Sequence, residues 1–337
     1  MPEIQPIVRA EQPRPRLSVV VPCYDEEAVL DETHRRLSAA CVAVVGDDYE
    51  IVYVDDGSRD ATWPMLSALG ARERNVVAVS LSRNFGHQLA LSAGLSLARG
   101  ERILMIDADL QDPPELLGDM MARMDAGADV VYGQRTQREG ETAFKTGSAS
   151  VFYRFLNRLT DIEIPENVGD FRLVNRAVLD ALLAMPEQHR FVRGLVAWLG
   201  FRQEAFPYVR QARFAGETKY PLRKMLRLAA DAITGFSIRP LRVSMLFAVI
   251  AFAIAAGIAV YAVLAWLTGA TVRGWTSLTL VVSLFSGVQL LCLGIMGEYL
   301  GRMFMELKRR PLFLIREVRT GGTSSSRPDP AAVDPSR

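Results

Sequence analysis

Three carboxylates and two prolines crowd the end of the segment Ile103-Leu104-Met105-Ile106-Asp107-Ala108-Asp109-Leu110-Gln111-Asp112-Pro113-Pro114. The apolar run at its start reads as a strand. Side chains alternate across a strand, so Asp107 and Asp109 are expected to point to one face and share a hard divalent cation, which would neutralise a diphosphate. An isolated D-A-D reads as readily as a polar turn before a helix starting at Pro114. Three companion motifs favour the cation site.

Each companion also follows an apolar run: Pro22-Cys23-Tyr24-Asp25-Glu26-Glu27, Asp55-Asp56-Gly57-Ser58, and Ser82-Arg83-Asn84-Phe85-Gly86-His87. None matches the glycine-rich dinucleotide fingerprint or the P-loop. Carboxylates at strand ends are poor phosphate ligands alone, but they suit a base, a ribose hydroxyl or a metal that in turn holds phosphate. A nucleotide bound through carboxylates and a cation is the simplest assembly. Asp55 and Asp56 could also close an Asx turn on Gly57. Arg135 stands near a strand end behind Gly133, whose missing side chain is expected to admit a ligand. His87 is expected to begin a helix and to pack or cap there, with Asn84 and Gly86 shaping the loop. Asp170 lies in Val168-Gly169-Asp170, read as a polar turn before a strand at Phe171 to Val174.

The elements that must carry these residues follow from periodicity. Strands are predicted at Leu17 to Val21, Glu50 to Val54, Val76 to Leu81, Arg102 to Ile106 and Asp129 to Tyr132. Helices are predicted at Glu27 to Val44, Thr62 to Glu73, His87 to Ala98 and Pro114 to Ala126. On the first helix Leu30, Thr33, Leu37, Ala40, Cys41 and Val44 form one face. Single helices between strands imply an α/β fold with a mostly parallel sheet, whose ligands gather at the carboxyl ends of the strands.

The last third has another character. Val243 to Leu267 and Trp275 to Met296 contain no charged side chain, and each is long enough to cross a hydrocarbon core of about 30 Å. Net charge is only +1, but Arg213, Lys219, Arg223, Lys224, Arg227, Arg239 and Arg242 precede the first run, and Arg302, Lys308, Arg309 and Arg310 follow the second. Only Arg273 lies between them. The positive-inside rule therefore puts both flanks in the cytoplasm and Thr268 to Gly274 outside, in a cell membrane crossed twice. Leu222, Met225, Leu226, Ala229, Ala232, Ile233 and Phe236 recur at helical spacing, which predicts a basic amphipathic helix in the interface plane. Gly287, Gly294, Gly297 and Gly301 suggest close packing of the second span and a homo-oligomer through the membrane. The stretch from Met1 to Arg16 has no apolar core, so no cleavable signal peptide is expected. Cys23, Cys41 and Cys292 are too few and scattered for disulfides or zinc. The tail from Thr320 is expected to be disordered.

Taken in order, P-C-Y-D-E-E, V-D-D-G-S-R-D, S-R-N-F-G-H-Q and D-A-D-L-Q-D-P-P resemble the motifs of family 2 glycosyltransferases of the GT-A fold. Within them the chain is similar to the polyisoprenyl-phosphate glycosyltransferases, the group of dolichyl-phosphate mannose synthases and bacterial undecaprenyl-phosphate glucosyltransferases. The likeness continues through Gly133-Gln134-Arg135, Gly169-Asp170-Phe171-Arg172-Leu173, Gly216-Glu217-Thr218-Lys219-Tyr220 and the apolar hairpin. Asp25 stands where the family usually has Asn, and Thr218 where it more often has Ser.

The resemblance implies that Pro22, Tyr24, Glu26 and Asp56 frame the nucleoside, with Asp107 and Arg135 also on the nucleotide sugar. It implies that Asp107, Asp109 and Gln111 surround Mg²⁺ or Mn²⁺, Asp109 being catalytic through that ion. Asp170 becomes the candidate catalytic carboxylate, and Arg213, Lys219, Arg223 and Lys224 the basic groups for phosphate and acceptor. The expected activity is inverting transfer of a hexose, preferably glucose from UDP-glucose, to polyprenyl phosphate at the cytoplasmic membrane face. A GDP-mannose-dependent enzyme, a polysaccharide synthase and a non-catalytic nucleotide-sugar-binding subunit are the alternatives; Gln188-His189-Arg190-Phe191 fails the synthase signature Q-x-x-R-W. No nucleic-acid partner is expected. The expected domains are an extension (1–16), a catalytic domain (17–220), a juxtamembrane helix (221–240), two spans (241–300), a basic segment (301–319) and a tail (320–337).

Overall fold

The computed structural model describes residues 13–137, 168–188, 190–210, 237, 239–268, 274–321 and 323–326. Arg213, Lys219, Arg223, Lys224, the amphipathic segment to Phe236 and most of the Thr268 to Gly274 connection lie outside them. The described residues belong to two compact units, one built on a sheet and one on two helices.

The sheet unit begins with β1 (Leu17–Cys23), β2 (Tyr49–Asp55), β3 (Val76–Leu81) and β4 (Arg102–Met105). These pair in parallel in the order β3-β2-β1-β4. β1 is buried along its whole length, as an apolar run covered on both faces should be. Around this parallel half the sheet turns mixed: β6 (Val168–Asn175) pairs antiparallel with β4 and with β5 (Val130–Gln137), and β5 pairs in parallel with β7 (Gln203–Val209). On the other flank β8 (Ile315–Thr320) runs antiparallel to β3, followed by β9 (Thr323–Ser326).

The helices are α1 (Leu30–Val45), α2 (Thr62–Arg72), α3 (His87–Leu97), α4 (Leu117–Asp125, after a 3₁₀ turn at Pro114–Leu116), α5 (Arg176–Ala184) and α6 (Val192–Trp198). The α1 face holds as read, except that Val45 and not Val44 completes its buried set. α1 also starts three residues later than predicted; ahead of it the backbone N–H groups of Glu26 and Glu27 donate to Thr62 Oγ1 (2.9 Å) and Asp60 Oδ2 (3.1 Å). α3 packs closely on the sheet: a Cβ at Gly94 would lie 2.4 Å from Val20 Cγ1 and 3.0 Å from Val54 Cγ2.

Three expectations need correction. Val168, Gly169 and Asp170 are part of β6, not a turn. The tail boundary at Thr320 is wrong, since Thr320 and Thr323–Ser326 lie in strands. The basic segment from Gly301 divides between the end of a helix and β8. Buried Phe313 and Val318 draw the chain back, and β8 covers a β3 edge that would otherwise expose unpaired backbone groups. The catalytic sheet therefore takes in 315–326 as well as 17–209.

The helical unit contains α7 (Arg239–Leu267) and α8 (Trp275–Leu307), of 29 and 33 residues. Their most apolar stretches have mean hydropathies of 2.6 and 1.3 and are almost wholly exposed, so they are not the core of a soluble domain. Tyr299 Oη donates to Ser237 O at 2.6 Å, and Cys292 Sγ to Ser244 O at 3.5 Å. Gly287, Gly294, Gly297 and Gly301 have nothing within 4 Å of a built Cβ, so they do not make the expected close packing within the described hairpin.

Gly94→Ala sets a gain of about 1 kcal/mol in helix propensity against overpacking of about 1–3 kcal/mol on stiff, buried valines. Overpacking is expected to win. The melting temperature of the detergent-solubilised protein should fall; a rise would show that α3 lifts off the sheet without cost.

Candidate active site

At the carboxyl ends of the parallel strands, loops are stitched together by carboxylates that accept backbone N–H bonds. Asp55 Oδ1 accepts from Ser58 N (3.0 Å), three residues on, so it closes the 55–58 turn through Ser58 and not through Gly57 as expected. Asp56 reaches across to the next loop, its two oxygens accepting Phe85 N (2.7 Å) and Gly86 N (2.8 Å). Gly57 between them has φ 72, and a Cβ there would meet Arg83 C and Asn84 N at 2.8 Å. Only glycine fits that crossing. Asp25 has φ 54, a conformation for which Asp and Asn are the favoured side chains after glycine, and its Oδ1 accepts Arg59 N at 2.7 Å. Pro22 is buried in β1, while Glu26 is half-buried and Tyr24 is 39% exposed beside it.

The acidic motif departs from its predicted form. β4 ends at Met105, and Asp107 to Leu110 form a turn in which Leu110 has φ 58. Strand alternation therefore does not place Asp107 and Asp109 on one face. Asp109 Oδ1 accepts Gln111 N (3.2 Å), and Thr33 Oγ1 fastens the turn to α1 through Ala108 O (2.7 Å). Asp107 instead approaches His87: its Oδ1 is buried without a hydrogen bond, 3.4 Å from His87 Nε2. Ligand atoms of His87, Asp107 and Asp170 lie within 4.8 Å of one another, a grouping of acidic and histidine side chains that does not include Asp109 among the described residues.

Asp170 is the most tightly held group here. Arg193 Nε donates to its Oδ1 (2.8 Å), Gln88 Nε2 donates to its Oδ2 (3.0 Å), and His87 Nε2 stands 3.1 Å from Oδ2. Burial opposes its ionisation, but the Arg193 charge and the His87 contact overcome that and hold it well below the usual carboxylate range. Burial raises Asp107, with Asp170, Asp112 and Asp109 adding to the rise and His87 opposing it. For His87 burial alone would lower the pKa; the bond to Asp170 and the charge of Asp107 instead lift it to about 9.

Arg135 lies farther along β5. Its Nε donates to Tyr208 Oη (3.2 Å), and Tyr208 donates in turn to buried Asp112, which is also 3.7 Å from Arg135 Nη2 and 3.8 Å from Arg210 Nε. Gly133 does not open a path for a ligand, because a Cβ there would strike Phe171 Cδ1 at 2.6 Å and Tyr208 Cε1 at 2.8 Å. Gly169 is the residue that makes room, its built Cβ falling 2.4 Å from Arg135 Nη2.

Sequence reasoning passed over Arg193, Gln88, Tyr208 and Asp112, and left His87 as a helix-start residue. A signal existed for Arg193, the single charge in the apolar run Val192–Trp198. Arg190 is structural: its guanidinium donates to Leu182 O (2.9 Å) and Met185 O (2.6 Å). The carboxylates fit a hard divalent cation, and Asp107 keeps a buried oxygen without a hydrogen-bond donor; His87, protonated at its raised pKa, would have to lose its proton to join them.

Comparison with known proteins places this arrangement. Residues 18–183 match the model of glycosyl transferase family 2. The chain is 46% identical over 302 residues to the uncharacterized glycosyltransferase YkcC of Bacillus subtilis (strain 168), covering 89% of this chain and 93% of that protein. It is 36% identical over 305 residues to the prophage bactoprenol glucosyl transferase homolog of Escherichia coli (strain K12), covering 90% and 99%. A crystal structure of S. aureus TarS with UDP-GlcNAc aligns at TM-score 0.44 and 20% identity over 66% of this chain and 68% of that one, too loosely to carry an argument about the site. The chain belongs to glycosyltransferase family 2 and is a glycosyltransferase with a GT-A-type α/β domain and two apolar helices.

His87 gives a pH signature in the metal-free protein. Its folded pKa of about 9 exceeds the ordinary value near 6.5, so its stabilisation is complete below about pH 6.5 and is lost as pH rises through 9. The ring is 44% exposed and solvent screens part of the effect. In EDTA the wild-type melting temperature should decline between pH 7 and pH 9 (roughly that window) more steeply than that of His87→Gln. Parallel curves would remove His87 from the ion pairs.

Proposed function

We propose that the chain transfers glucose from UDP-glucose to polyprenyl phosphate, with inversion, at the cytoplasmic face of a membrane. The observation that carries this reading is the likeness to bactoprenol glucosyl transferases over nearly their whole length, 36% identity over 305 residues covering 99% of the prophage homolog. Two exposed apolar helices, long enough to cross a membrane, support the same reading.

In this reading Pro22, Tyr24 and Glu26, with the loop clasped by Asp56, frame the nucleoside. Asp107, with Asp109 and Gln111 or with His87, would hold Mg²⁺ or Mn²⁺, and Arg135 would add positive charge for the phosphates. When bound, the ion supplies Lewis-acid charge that offsets the charge on the departing diphosphate. The acceptor phosphate oxygen forms a bond to the anomeric carbon as the bond to the diphosphate oxygen breaks, and the nucleoside diphosphate leaves with that electron pair. A phosphate monoester has a second pKa of about 6, so the acceptor is largely dianionic at neutral pH and needs little deprotonation. Asp170 suits an orienting role better than a base, since Arg193, Gln88 and His87 engage it and its pKa is depressed.

Purified protein with radiolabelled UDP-glucose and undecaprenyl phosphate is expected to yield one mild-acid-labile lipid-linked hexose. Label in a water-soluble or high-molecular-weight polymer would overturn the reading. EDTA or Asp109→Ala should lower turnover by about 100-fold or more, and full activity in either would falsify the metal role.

Asp170→Asn keeps size and one accepting oxygen while removing charge, its amide NH₂ facing donors from which Asp170 now accepts. An orienting Asp170 predicts a loss of about tenfold with the acid limb of the pH profile, set by the acceptor near pH 6, retained. Complete loss of turnover with folding and UDP binding intact would instead assign Asp170 as the base.

A further inference from the structure

Beyond α8 the chain re-enters the sheet at a point that matters to the donor site. Leu314 O accepts the N–H of Ser82 (2.8 Å), the first residue of the loop that runs to His87 and whose Phe85 and Gly86 amides clasp Asp56. Two residues later Arg316 Nη2 donates to Ser80 Oγ (2.8 Å). Ser80 is wholly buried, and its hydroxyl reaches Asp55 Oδ2 at 3.4 Å. The other oxygen of Asp55 holds the 55–58 turn through Ser58 N. A strand from the far end of the sequence thus grips both loops that meet at Gly57.

Asp55 is fully buried, and a buried carboxylate is costly unless polar groups compensate it. A guanidinium one hydroxyl away supplies positive charge beside the carboxylate and pins the Ser80 oxygen, whose one proton has two acceptors at 3.4 Å, Asp55 Oδ2 and Leu81 O. Without it that oxygen loses its anchor, and the proton can settle on Leu81 O. The 55–58 turn and the neighbouring 82–87 loop would then lose a shared anchor.

We infer that Arg316 is a positioning residue of the nucleotide-sugar site, acting through Ser80 and Asp55 on the two loops that shape it. The inference rests on the reading of those loops as the donor site. It gives the segment after the second apolar helix an indirect part in donor binding, where a merely structural strand would affect stability alone.

The test uses the full-length protein in detergent, with Arg316→Gln, Arg316→Lys and Ser80→Ala. Arg316→Gln should raise the KM for UDP-glucose about tenfold, leave the KM for undecaprenyl phosphate unchanged, and speed amide exchange in the peptide covering 82–87. Arg316→Lys should recover part of the affinity, and Ser80→Ala should match the Gln variant. A lower melting temperature with unchanged KM values and unchanged exchange at 82–87 would overturn the inference, leaving Arg316 a residue that serves the stability of β8 alone. If the wild-type protein neither binds UDP nor turns over UDP-glucose, the donor reading itself fails. In that event the exchange measurement still decides whether Arg316 holds the loop.

Discussion

Backbone N–H groups left over at the ends of parallel strands have to be satisfied, and here carboxylates do it. Asp25, Glu27, Asp55, Asp56 and Asp60 each accept at least one main-chain N–H from a neighbouring loop or from their own. These are charge-assisted bonds, stronger than amide-to-amide ones, and they fix loop geometry with short side chains that lose little entropy. The acidic motifs at the strand ends therefore do two things. In the proposed reading they offer oxygen ligands to a nucleotide and its cation, and in the structure they hold the loops in which those oxygens sit.

This dual use explains which parts were legible in the sequence. Apolar runs such as Leu17 to Val21 and Val76 to Leu81 announce central parallel strands because both their faces are buried, and nothing polar interrupts the signal. The antiparallel flanks were harder. Val168-Gly169-Asp170 looks like a turn because glycine and aspartate usually mark one, yet Gly169 is there to clear Arg135 and Asp170 is there because Arg193 compensates it. Both reasons come from residues distant in sequence, and local pattern cannot contain them. β8 was missed for a similar cause: its alternation is faint, and its partner β3 is a strand read more than two hundred residues earlier, Ser80 and Arg316 being 236 apart.

The site shows the same division. The carboxylate motifs and Arg135 stand out in the sequence by residue type and by their position at strand ends. The residues that tune them do not. His87, Gln88 and Arg193 come from two separate helices and converge on one oxygen pair, and Tyr208 bridges Asp112 and Arg135 from β7. Convergence of that kind belongs to the topology. The expected pairing of Asp107 with Asp109 failed for a local reason, the early end of β4 and the left-handed Leu110.

The pairing of β8 with β3 also sets an order of events during synthesis. A ribosome completes β3 long before it has made α7 and α8, and β8 follows both. Through that interval the β3 edge has no partner, in a sheet whose other parallel pairings are already available. Contacts of such long sequence separation form slowly, and open apolar edges invite pairing with other chains. The nascent catalytic unit therefore stays incomplete until the apolar helices have been made, which ties the maturation of its sheet to the same event that delivers it to the membrane.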